Sequence, residues 1–64
     1  MIQAAQHLLA ALGYEVGKAD GILRTATVQS IQRFQAEHRL EPTGVVDGAL
    51  LVALSEEVMV RKGR

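Results

Sequence analysis

Gln6 and Gln35 each stand in or beside apolar residues that recur at helical spacing, and a primary amide there must find hydrogen-bond partners wherever water is removed. Such a side chain either ties helices to loops or faces a shallow groove and bonds a polar ligand. Asp20 and Asp47, each followed by a glycine, suit turn or cap duty through their carboxylates. Tyr14 offers a flat ring that either packs over its own loop or stacks on a ligand.

Reaction chemistry finds little footing in the same residues. His7 and His38 lie in no ligand cluster, there is no Cys, and no zinc-protease helix signature occurs. Placing Gly21 sixth in a calcium loop would put Val16 and Lys18 at its first and third positions, where carboxylates are required. Ser30 and Ser55 stand apart from any histidine-plus-acid arrangement that would activate a hydroxyl. The glycines build neither a dinucleotide nor a nucleotide-triphosphate loop. The chain therefore reads as noncatalytic, with no metal and no cofactor.

The positioning elements follow from periodicity. With 64 residues, 48% of them hydrophobic, the chain suffices for one small domain whose modest core favours a shallow binding surface over a deep polar pocket. Ile2, Ala5, Leu8, Leu9 and Leu12 predict a first helix over 2–12 that ends at Gly13, with Gln6 on the edge of the stripe and His7 opposite. Gly13 to Arg24 reads as an ordered irregular loop anchored by Tyr14, Val16, Ile22 and Leu23. A second helix is expected from Thr25, as N-cap, to His38, gathering Thr27, Val28, Ile31, Phe34, Gln35 and His38 on one face.

Leu40 is expected to fold back over that helix end, with Pro42, Thr43 and Gly44 in a turn and Val45 and Val46 briefly extended. Asp47 would then cap a third helix that buries Leu50, Leu51, Leu54 and Val58, frays towards Arg61, and leaves Val52, Met59 and Val60 off the stripe. The expected fold class is all-α, a compact three-helix domain over residues 1–60 with ordered connecting loops that contain Gly and Asp, followed by a basic tail over 61–64. Gly17, Asp20 and Gly21 share their spacing with Gly44, Asp47 and Gly48, which reads as one loop-to-helix device used twice.

Charge narrows the partners. Seven Lys and Arg balance seven Asp and Glu, but three of the basic residues are Arg61, Lys62 and Arg64, so the first sixty residues carry a formal −3. That balance repels polyphosphate, and the expected third helix offers Glu56 and Glu57 but no Lys, Arg, Asn or Gln over 48–60, so no nucleic-acid partner is expected. No apolar run approaches the roughly 20 residues of a membrane span, and no export signal is visible in this chain.

The pattern resembles the small three-helix peptidoglycan-binding domain attached to many bacterial cell-wall hydrolases. Gln6 and Leu9 match its Gln and following Leu in helix one; Leu12, Gly13 and Tyr14 match its Leu-Gly-Tyr corner. Gly17, Asp20, Gly21 and Ile22 match its Gly-x-x-Asp-Gly-Ile, Thr27, Val28, Phe34 and Gln35 its helix-two signature, and Thr43, Gly44 and Asp47 its closing Thr-Gly-x-x-Asp. The chain departs from the pattern with Leu23, Arg24 and Thr25 in place of Phe-Gly-Pro, Arg39 in place of a Gly, and Leu50 in place of a Thr.

The resemblance implies a noncatalytic module that binds the glycan or stem peptide of peptidoglycan and holds a linked hydrolase, transpeptidase or envelope protein near it. On the chemistry of the side chains, ligand contacts are expected from Gln6, Tyr14, Asp20, Arg24, Gln35 and Arg39, with Arg33 as a further cation for wall carboxylates. Gly13, Gly21, Thr43, Gly44 and Asp47 would shape loops and caps. The implied location is the bacterial envelope, periplasmic or extracellular within an exported parent. The other reading is a structural or protein-interaction domain on the same fold, docking through Val52, Met59 and Val60.

Overall fold

Apolar side chains three and four residues apart wind the start of the chain into α1, Ile2–Ala11, in a computed structural model that describes residues 1–62. α2 follows as Thr25–Glu37 and α3 as Gly48–Lys62, with no strand among the described residues. The fold is all-α, as expected. α1 packs against both other helices. Ala5 and Leu9 from α1, Ile31 and Phe34 from α2, and Leu50 and Leu54 from α3 close one buried centre, with Val16 of the first loop inserted beside them. Phe34 is its largest fully buried side chain and anchors both ring neighbours, Tyr14 edge-on at 6.1 Å and His38 at 4.2 Å between centroids.

Two helices end in the same way. After α1, Gly13 takes φ 91°, and the N–H groups of Gly13 and Tyr14 donate back to Ala10 and Leu9 carbonyls at 3.0 and 2.9 Å. After α2, Arg39 takes φ 60°, and the N–H groups of Arg39 and Leu40 donate to Ala36 and Gln35 at 3.2 and 2.7 Å. Both are left-handed caps that satisfy the last free carbonyls. Glycine enters that region without steric cost; arginine pays about 1–2 kcal/mol for its Cβ. Arg39→Gly is therefore expected to stabilise the fold by about 0.5–1 kcal/mol after the added backbone freedom of glycine is offset. Thermal unfolding should show a rise of a few degrees; a fall would contradict the strain.

α3 begins with the expected cap, the Leu50 N–H donating to Asp47 Oδ1 at 2.9 Å. Other expectations change. Thr25 is the first residue of α2, not its cap: extended Arg24 precedes the helix and no side chain caps it, while its guanidinium is drawn to Asp20. The two Gly-Asp-Gly segments are different devices. Asp20 accepts from Ile22 two residues on, five residues before α2 begins, whereas Asp47 caps a helix that starts at Gly48. Ile22 and Leu23 do not anchor the first loop apolarly, being 54% and 45% exposed. Leu40 folds back only through its backbone, its side chain staying 44% exposed. α3 continues past Arg61 to Lys62, and the remainder of the expected basic tail, Gly63 and Arg64, lies outside the described residues.

Candidate functional site

Each glutamine holds one loop through a left-handed glycine. Gln6, expected on the edge of the α1 stripe, is fully buried because the loop around Gly21 and the start of α2 close over it. Its Nε2 donates to the Ile22 carbonyl at 2.9 Å and to Thr27 Oγ1 at 3.1 Å, while its Oε1 accepts from the Gly21 N–H at 2.8 Å. Thr27, equally buried, donates its own hydroxyl to the Val16 carbonyl at 3.4 Å. Gln35 repeats the arrangement at the second loop: Oε1 accepts from the Gly44 N–H at 3.0 Å and Nε2 donates to Thr43 Oγ1 at 3.2 Å. These polar brackets fix loops in which Ile22, Leu23, Leu40 and Val45 stay exposed while Val16 and Val46 pack inward.

Held in that way, the exit of α1 stands across from α2 and leaves a cleft of about 710 Å³ between them. One wall is the turn from Leu12 to Glu15. The other is a stripe of α2, Ala26, Gln29, Ser30, Arg33 and Glu37, spaced by three, four and seven residues so that they share a face. The Ser30 hydroxyl donates to the Glu15 carbonyl and ties the walls together. Arg61 closes one end, its Nη1 donating to the Leu12 carbonyl at 3.1 Å and its Nε lying 3.6 Å from Glu57.

Tyr14 stands on the cleft with its ring edge against Phe34 and its hydroxyl donating to Glu37 Oε1. Burial above all, then the hydrogen bond to the Glu37 carboxylate and its charge, push the phenol from 10.0 up to about 12. A group raised on folding stabilises the native state fully below its unfolded value. That contribution is lost as pH climbs from about 10, where the unfolded phenol ionises, through the folded value. Tyr14 is the chain's one tyrosine, so phenolate absorbance reads it directly: the midpoint should lie near 12 and move down towards 10 in Glu37→Gln. A midpoint near 10 in the folded wild type would contradict this geometry.

Among the six residues expected to touch a ligand, Tyr14 alone lines the cleft. Gln6 has no accessible surface and Gln35 almost none, so both shape loops from inside. Asp20 and Arg24 pair with each other at 2.7 and 2.8 Å on an exposed turn, where Arg24 first and the Ile22 N–H second hold the Asp20 carboxyl below the usual carboxylate range. Arg39 is the cap of α2. Arg33 joins the cleft, and Glu15, Gln29, Glu37 and Arg61 enter it without having been singled out. Their signal was present: residues 26, 29, 30, 33 and 37 form a second stripe on α2, beside the apolar one.

Comparison with known proteins decides the family. Residues 1–54 match the family described as "Putative peptidoglycan binding domain". The chain belongs to that family. The peptidoglycan-binding domain so defined covers all three helix starts and both glutamine-bracketed loops. A curated relative, "Putative OxPP cycle protein OpcA" of Nostoc punctiforme, is 38% identical over 55 residues, an alignment that takes in 86% of this chain and 12% of the relative. This chain thus spans a small fraction of that protein's length. No solved structure matches. Among the described residues, no helix is long and apolar enough to cross a membrane.

Proposed function

We propose that this peptidoglycan-binding domain works as a noncatalytic module that holds a linked cell-wall enzyme or envelope protein against the wall. The observation that supports it most is the family match across residues 1–54. The cleft beside Tyr14 supports the reading: it is an open polar groove in which the Gln29 and Arg33 side chains have no hydrogen-bond partner among the described residues, while Gln6 braces the first loop from inside. Affinity at such a site need not be high. Tethering converts weak contacts into a raised effective concentration of the linked partner at an insoluble substrate. The location that follows is the bacterial envelope.

Co-sedimentation with purified sacculi tests the reading. The folded chain should pellet with the wall, the double variant Gln29→Ala, Arg33→Ala should pellet several-fold less, and neither should release soluble fragments. A folded chain that stays in the supernatant would overturn the proposal.

A second reading rests on α3, where Val52, Met59 and Val60 are all more than half exposed, and on a relative named as an OxPP cycle protein rather than as a wall protein. In that reading the same fold is a protein-interaction domain that docks through this side of α3. Loss of a binding partner in Met59→Lys, with sacculus retention unaltered, would favour it.

A further inference from the structure

The four charges of the cleft are not equally available. Glu37 already accepts the Tyr14 hydroxyl, and Arg61 is spent on the Leu12 carbonyl and Glu57. Arg33 and the Glu15 carboxylate have no hydrogen bond or ion pair among the described residues, although both line the cleft. One cation and one anion are therefore left to face whatever enters.

A ligand without charge gains less from such a pair, since it offers each charged group a hydrogen bond but no opposite charge. A ligand carrying one carboxylate and one ammonium compensates both. The Ser30 hydroxyl fixes the Glu15 backbone one helical turn from Arg33, and the rest of the wall has room for the remainder of a longer ligand. From Ala26 to Glu37 the α2 wall runs about 16 Å, at about 1.5 Å per helical residue. That is the reach of four or five residues of extended peptide at about 3.3–3.6 Å each.

We propose that the cleft takes a short zwitterionic peptide laid along α2, its carboxylate on the Arg33 guanidinium and its ammonium at Glu15, in preference to a neutral glycan. The inference rests on the wall-binding reading above, in which the source of such a peptide is a stem peptide that contains a diamino acid. Tyr14 then borders the peptide backbone, and Gln29 supplies an amide for it.

Titration of the full chain by calorimetry separates the ligand classes. The probes are a synthetic Ala-γ-Glu-diaminopimelate-Ala tetrapeptide, the same peptide with its carboxylates amidated, the same peptide with its amines acetylated, and the neutral oligosaccharide chitotetraose. The free tetrapeptide should bind, each blocked form should bind at least about tenfold more weakly, and chitotetraose should not compete with it. Arg33→Gln should remove the preference for free over amidated peptide, and Glu15→Gln the preference for free over acetylated peptide, with circular dichroism unchanged in both.

Amidated peptide binding within about twofold of the free form, or chitotetraose displacing it, would overturn the proposal. The two levels fail separately. Sacculi that retain the chain while the tetrapeptide does not bind would overturn the peptide inference and leave the wall module standing. A chain that binds the tetrapeptide but not sacculi would support the cleft chemistry and overturn the wall reading.

Discussion

Replacing Gln6 by leucine is expected to lower stability by about 2–4 kcal/mol, because the Gly21 N–H, the Ile22 carbonyl and the Thr27 hydroxyl lose one partner together. Each buried group left without a hydrogen bond costs about 1–3 kcal/mol, and the gain from burying an apolar side chain in place of an amide offsets only part of the total. A domain of this size holds on the order of 3–10 kcal/mol in all, so the loss is a large share of it. Thermal unfolding should fall by roughly 10–25 °C. His7→Leu, one residue away on the exposed side of α1, should stay within about 0.5 kcal/mol of wild type. Equal effects at the two positions would show that the Gln6 bracket does not hold the first loop.

The second large effect is expected at Gly44. Its φ of 72° charges any Cβ a steric cost of about 1–2 kcal/mol. Space adds to that cost, since a Cβ there would meet Val28 Cγ1 at 3.0 Å and Gln32 Cγ at 3.3 Å. Gly44→Ala should therefore destabilise by about 3 kcal/mol, combining backbone strain with overpacking against α2. Gly17 is the natural control: its φ is also 72°, but a Cβ would find open space. Gly17→Ala should cost about 1 kcal/mol. Denaturation midpoints of the two alanine variants measure the difference, and its absence would mean that α2 yields freely beneath the second loop.

The contrast between Gln6 and Ile22 explains what could be read in the sequence. Helical periodicity located three elements, since burying a stripe is a repeated signal that many residues carry together. The apolar character of Ile22 and Leu23 suggested that hydrophobic contact fixed the first loop. Val16 does pack into the core, but around Ile22 the loop is held by a single amide that reaches fifteen residues along the chain to the Gly21 N–H, a pairing that no local spacing announces. The same holds at the cleft. Tyr14 was legible as a ring that either packs on its own loop or meets a ligand, and Arg33 as a cation for wall carboxylates, but their proximity depends on how the α1 exit meets α2. Arg61 shows the limit: it closes the cleft by bonding to Leu12, 49 residues earlier, from a stretch whose basic composition reads as a solvated tail.

Arg39 lies at the other extreme. The departure from glycine at that position was visible in the sequence, and the left-handed φ of 60° gives it a physical consequence. It also places the residue just past a helix end, and it is not among the cleft-lining residues.

Amide-shift mapping of the chain against soluble muropeptides tests the claim that the cleft is the wall-facing surface more directly than any variant does. The account predicts perturbations concentrated at the α1 exit, from Gly13 to Glu15, and along Gln29, Ser30, Arg33 and Glu37 of α2. Shifts confined to Val52, Met59 and Val60 on α3, with the cleft silent, would contradict it.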